Sequence, residues 1–185
     1  MFILLLLLII LAVLTAVLYN RLVRDRNRVD AAWSDIDVQL QRRHDLIPQL
    51  VKAIKHYAAY EKATLEAVTE LRGAAARTKD VEARGELEEQ LDKGVSKLLL
   101  LAENYPDLKA STNFLQLQKD LTETENYLQF ARRYYNGAVR ALNTRIESVP
   151  HNIIAGTFGF TQREFFQKSS DDVANVPLVN LGTVE

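Results

Sequence analysis

From Phe2 to Leu18 the chain carries one polar side chain, Thr15, and no side-chain charge; the run then stops at Tyr19-Asn20-Arg21, with Arg24, Arg26 and Arg28 close behind. As a helix the run covers roughly 26 Å, near the short end of a hydrocarbon span, and Tyr19 and Leu22 extend it through the interface. The sequence therefore predicts a transmembrane anchor over residues 1–18. Lys and Arg next to a span are retained on the cytoplasmic side. Arg21, Arg24, Arg26 and Arg28 all follow the run, so the expected topology is single-pass, N-terminus outside, with the remainder in the cytoplasm and the four arginines against lipid headgroups. A cleaved signal would need a basic leading region and a small-x-small site, and Leu14-Thr15-Ala16 is a poor match.

The composition removes whole classes of function. With no cysteine, disulfides, thiolate metal sites and cysteine nucleophiles are excluded. The 24 acidic and 23 basic residues nearly cancel, which leaves no basic footprint for nucleic acid. Beyond the anchor, residues 19–170 are long enough for one domain with a real core.

That domain reads as all-α. Apolar residues recur at steps of three and four through Val29, Trp33, Ile36, Leu40, Ile47, Val51, Ile54 and Ala58, and again at Leu65 and Val68, the signature of a helix with one buried seam. Pro48 lacks an N–H and must kink or break this helix. Asp45 could cap a new one, but the register crosses Pro48 nearly in phase, which favours a kink. A break is expected over Gly73–Asp80, with Thr78 or Asp80 as the next cap. A helix over 81–103 follows, with Leu87, Leu91, Val95, Leu98 and Ala102 inward. Its Glu82, Glu86, Glu88, Glu89 and Asp92 read as a solvated acidic face. Asn104-Tyr105-Pro106-Asp107 separates it from the most regular segment of all, where Phe114, Leu121, Leu128, Tyr135 and Leu142 are spaced by seven. Leu117, Thr124, Ala131 and Ala138 interleave with them. A bulky column beside a mostly small one is bundle packing. After Val149-Pro150 the period fades; Thr161 is expected to cap a short turn carrying Phe165 and Phe166, and the aromatics to fold back on the bundle. Residues 171–185, with Val176-Pro177-Leu178-Val179, read as an extended or disordered tail.

Two polar constellations stand out. Tyr19, Asn20 and Asn27 recur as Tyr135, Asn136 and Asn143 at a constant offset, along one helical face in each copy. If the two helices run in opposite directions, the asparagines are candidates for a buried polar layer that fixes register beside the membrane. Glu125 and Arg132, two turns apart, with Arg42 and Arg43 on the first helix, are candidates for a polar groove between helices that takes a ligand or partner peptide; a structural charge network is the default alternative.

The chain also resembles a known family. YNRLVRDRNRVDAAW, IDVQLQRRHDLIPQLV, KHYAAYE, ENYPDLKASTNFLQLQ, the stretch from Glu125 through Arg132-Arg133-Tyr134-Tyr135-Asn136, and GFTQREFF are together similar to the LemA family of bacterial proteins, across Tyr19 to Phe166. The resemblance implies a single N-terminal membrane helix followed by an up-and-down antiparallel four-helix bundle at the bacterial inner membrane, with Pro48 then dividing the first long helix. It further implies association, in some members, with magnetosome formation or membrane-protease quality control, and it brings no catalytic mechanism.

No cofactor signature accompanies these features. His44, His56 and His151 belong to no HExxH or ExxH pattern and read as surface or helix-end residues; His44-Asp45 could meet Glu61 only if the chain reversed at Pro48. Phosphate-binding loops and the GxSxG elbow are missing, and Ser34, Ser96 and Ser148 have no evident base. The expected function is a non-enzymatic, membrane-anchored adaptor or scaffold with membrane lipid and other membrane or cytoplasmic proteins as partners. A self-assembling, homo-oligomeric membrane organiser is the second reading, and an enzyme with an unrecognised site the third.

Overall fold

The computed structural model describes residues 1–58 and 60–166; the expected tail, 171–185, and residues 167–170 lie outside them. The described residues form six helices and no strand: α1 Phe2–Tyr57, α2 Lys62–Arg77, α3 Val81–Ala102, α4 Pro106–Lys109, α5 Thr112–Glu147 and α6 His151–Phe158.

Helix α1 runs unbroken through Pro48. A proline inside a helix leaves the carbonyl four residues earlier without its donor; here that is His44, and the Nε of Arg72 on α2 donates to it at 2.6 Å. The lost backbone bond is thus replaced from a neighbouring helix. Asp45 does not cap a new helix but accepts from Gln41 at 3.0 Å. The division that the family resemblance implies at Pro48 falls instead at Ala58–Glu61, where Ala58 leaves the helical region and its N–H still bonds to Ile54. Nothing in Tyr57-Ala58 or Tyr60 signals a turn, so Leu65 and Val68, read as part of the same seam, belong to α2.

Further on, α2 extends through Gly73 to Arg77, and the turn is narrower than expected. Asp80 caps α3 by accepting from Ala83 N–H at 2.8 Å. The α2–α3 contact is close: a Cβ on Gly94 would stand 2.8 Å from Val68 Cγ2. Pro106 opens α4 and Ser111 precedes α5. On α5 the whole column Phe114, Leu121, Leu128, Tyr135 and Leu142 is buried, as are Leu117, Thr124 and Ala138.

As residue numbers rise along α1 they fall along α5: Asp25 pairs with Arg145, Trp33 packs on Tyr135, and Arg43 meets Glu125. This contact organises two apolar cores. One gathers Val29, Ala32, Ile36, Leu40, Leu128, Val139 and Leu142 between α1 and α5. The other gathers Ile47, Leu50, Ile54, Leu65, Val68, Leu91, Leu98, Phe114 and Leu121 from α1, α2, α3 and α5. Phe2 to Leu14 stand clear of both and are exposed, and burial on α1 begins at Leu18 and Leu22.

The chain folds back after Gly159, whose φ of 71° is a left-handed helix stop, with Phe160 N–H bonded to Ala155 O at 2.9 Å. The short helix therefore precedes Gly159 rather than following Thr161. Phe166 is fully buried against Trp33, ring to ring at 5.4 Å.

Candidate functional site

Between the two cores lies a layer of ionisable side chains. Arg43 is 3 % exposed, His44 2 % and Glu88 0 %. Glu88 accepts from His44 Nε2 at 2.8 Å on one oxygen and from Arg43 on the other. The Arg43 guanidinium also reaches Asp92, Glu125 at 3.2 Å and the backbone oxygen of Glu88 at 3.3 Å. Arg132, 3.6 Å from Asp92, extends the network and lies over the Phe166 ring at 5.4 Å. Three helices, α1, α3 and α5, are therefore joined through one guanidinium.

The electrostatics of the two α3 carboxylates diverge. Burial by itself pushes Glu88 up, but the His44 hydrogen bond and the Arg43 charge outweigh it and hold the carboxyl below its ordinary value. Asp92 goes the other way: burial raises it, Arg43 opposes, and Glu125 adds repulsion. Beside Asp92 and Glu125 the network opens into a cleft of about 320 Å³ walled by Val95, Leu99 and Leu121.

Of the expected groove residues, the structure brings Arg43, Glu125 and Arg132 into this network. Arg42 lies outside it, 3.9 Å from Glu123 with both side chains about half exposed. Glu88 corrects the reading of α3 as a solvated acidic face, and His44 corrects the reading of the histidines as surface residues. The register carried the signal in both cases. Glu88, Leu91, Val95, Leu98 and Ala102 follow one another by steps of three and four, as do Leu40, His44 and Ile47; each ionisable residue occupies a core position. His56 is exposed against Tyr57. His151 is half-buried, its pKa lowered by burial and by the charges of Arg145 and Arg21. Among the described residues no three His, Asp or Glu side chains converge as a metal would require.

The expected asparagine layer does not form. Trp33, not Tyr19, packs against Tyr135, so the two copies of the echo stand fourteen residues apart along α1 (33 − 19), roughly 21 Å. Asn20 and Asn27 are exposed. Asn136 and Asn143 instead grip the returning chain: Asn136 exchanges two bonds with the backbone of Phe166 at 3.1 and 3.0 Å, and Asn143 two with Arg163 at 2.9 Å each. Tyr135 O–H adds a bond to Glu164 O at 2.9 Å. Seven helical residues rise about 10.5 Å and three extended residues span about 10 Å, so the two amides match two peptide groups of an extended segment. Tyr19 packs edge-on against Phe158 and Phe160. Arg21, Arg24, Arg26 and Arg28 are exposed, without a carboxylate partner among the described residues; Arg26 lies 5.5 Å over Phe160.

An all-helical protein with one N-terminal helix long and apolar enough to cross a membrane, its helices clamped by a buried ion cluster, is the class these observations define. The sequence matches the LemA family over residues 32–181. The chain belongs to that family. It is similar to Protein LemA of Metamycoplasma hominis, 28% identical over 159 residues that cover 85% of this chain and 72% of the relative. Similarity extends to Magnetosome protein MamQ 2 of Paramagnetospirillum magneticum, 28% identical over 81% of this chain and 65% of the relative. Magnetosome protein MamQ of Magnetospirillum gryphiswaldense is 23% identical over the same shares.

Proposed function

We propose that the protein is a membrane-tethered adaptor or scaffold without catalysis of its own, holding a rigid helical surface out to other proteins from the inner membrane. The observation that carries this reading is on α5. Tyr127, Phe130 and Tyr134 are spaced by three and four, so they share one face, and each is more than half exposed. Arg133 lies 4.8 Å over the Phe130 ring. Three large aromatics and an arginine in one outward stripe have the composition of an interface centre. The buried ion cluster supports the same reading as a strut: its Arg43–His44–Glu88 part is sealed from substrate and fixes how α1, α3 and α5 present their outer faces. In this reading α1, α2, α3 and α5 make an antiparallel up-and-down four-helix bundle in the cytoplasm, with the arginines after Leu18 setting that orientation.

A photo-crosslinking amino acid at Phe130, in native membranes, should give one discrete adduct with a protein partner. The same probe at Leu100, exposed on α3, should not give it, and Tyr127→Ser with Tyr134→Ser should abolish it. Identical adducts from both positions would remove the case for this face. The names of the MamQ relatives favour one second reading, a self-assembling membrane organiser; it expects the Phe130 adduct to be a second copy of this chain.

A further inference from the structure

Helix α6 and the turn leading into it carry large apolar side chains that the described chain leaves uncovered. Val149 is 77%, Ile153 64% and Phe158 53% exposed. Val149 lies in the turn just before α6 and Ile153 in the first turn of the helix. Their height on the molecule is set by α1. The Phe158 and Phe160 rings lie 4.9 and 5.6 Å from the ring of Tyr19, the residue that ends the apolar run. A cleft lined by Leu8, Leu11, Thr15, Tyr19 and Phe158 runs from the middle of that run onto α6, so the uncovered apolar surface is continuous from one to the other. Basic groups surround it. Arg21 and Arg24 are exposed on α1 at this level, and Arg140 of α5 lines a hollow that also contains Val149 and His151.

An apolar tip rimmed by guanidiniums, continuous with a membrane span, fits the boundary between acyl chains and anionic headgroups. We propose that α6 is a second membrane contact: it lies in the headgroup layer of the leaflet from which α1 emerges, with Val149 and Ile153 toward the acyl chains, Phe158 beside Tyr19 at the end of the span, and Arg21, Arg24 and Arg140 toward lipid phosphates. The Gly159 turn and the asparagine clasps on residues 163–166 return the chain to the bundle and hold α6 at this level. The inference goes beyond the adaptor reading and needs only that Phe2–Leu18 span the bilayer.

The sequence contains no cysteine, so one introduced thiol labels one site. Full-length Val149→Cys and Ile153→Cys, each carrying an environment-sensitive fluorophore, are reconstituted in vesicles of phosphatidylethanolamine and phosphatidylglycerol. They are compared with Leu8→Cys in the span and Leu100→Cys on α3, with Trp33 emission confirming the fold. Labels at 149 and 153 should lose most of their signal to a nitroxide on the upper acyl chain, as the label at 8 does for a deeper nitroxide, and be several-fold protected from aqueous iodide relative to 100. Labels at 149 and 153 that behave like the one at 100 overturn the inference, whether that face is bare or covered by protein. If the label at 8 also escapes the lipid quencher, it is the span itself that fails. In phosphatidylcholine alone, quenching at 153 should weaken while that at 8 persists; no change would refute the part played by the arginines.

Discussion

Replacing Arg43 by methionine keeps most of the side-chain volume and removes the single guanidinium that bonds to Glu88, Asp92 and Glu125. The consequences for the three carboxylates differ. Asp92 and Glu125 are about one-third exposed and are resolvated in part, so their share is small. Glu88 is fully buried and keeps only His44. Breaking a buried pair from one side costs about 3–5 kcal/mol, and for a chain of this size each kcal/mol lowers Tm by about 2–4 °C. R43M should therefore melt roughly 6–20 °C below the parent, a large share of the ~5–15 kcal/mol that holds a typical domain together. The lone tryptophan, Trp33, packed between Tyr135 and Phe166, reports the transition by fluorescence in mild detergent. The decisive comparison is the triple variant Arg43→Met, His44→Leu, Glu88→Leu. With no fully buried charge left in this layer, it should recover most of the loss, because apolar replacement of a whole buried cluster is neutral or stabilising by about 1–4 kcal/mol. A single variant within about 1 kcal/mol of the parent would place the layer among exposed ion pairs. A triple variant as unstable as R43M would show that the loss came from packing and not from an unpaired Glu88.

Three further outcomes follow from other parts of the fold. Asn136→Ala with Asn143→Ala removes four side-chain bonds to residues 163–166; trypsin should then cut after Arg163 much faster while α5 stays intact, and unchanged cleavage would dismiss the clasp. Gly94→Ala should cost about 1–3 kcal/mol by pushing its methyl into Val68. Gly137→Ala, with nothing within 4 Å of the new Cβ, should gain up to about 1 kcal/mol from helix propensity; equal denaturant midpoints for the two would contradict the α2–α3 packing. Acid titration should show opposite contributions. Glu88, lowered on folding, stabilises above its unfolded value, and that stability is lost as pH falls through the folded one. Asp92, raised on folding, is destabilising at neutral pH and is relieved as pH falls through its raised value, so Asp92→Asn should raise stability near neutrality and Glu88→Gln should lower it.

Legibility in the sequence varied with what each residue announces. The α5 column from Phe114 to Leu142 was readable because a long buried face repeats close to every seventh residue. The end of α1 was not, since Tyr57-Ala58 and Tyr60 are ordinary helix residues, whereas Pro48 advertises a break that Arg72 makes unnecessary. Glu88 and His44 were misplaced by residue type although their spacing put them on the buried seam. The asparagines of α5 were singled out on good grounds, but their partners were peptide groups of residues 163–166, and no side-chain pattern encodes a backbone partner. Arg43, Glu125 and Arg132 were singled out by their charge beside the apolar seams and meet in one network; that Glu88 is their buried partner needed the level at which α1, α3 and α5 meet.

Because α1 passes from the apolar run into both cores without a linker, the exposed and packed parts of the molecule move as one mast. From Leu18 to Tyr57 the mast is about 58 Å long, so the ordinary 20° tilt of a single span carries its far end about 20 Å sideways. Any lean of the apolar run is thereby magnified at the other end of the helix into how far from its own footprint the packed part can reach.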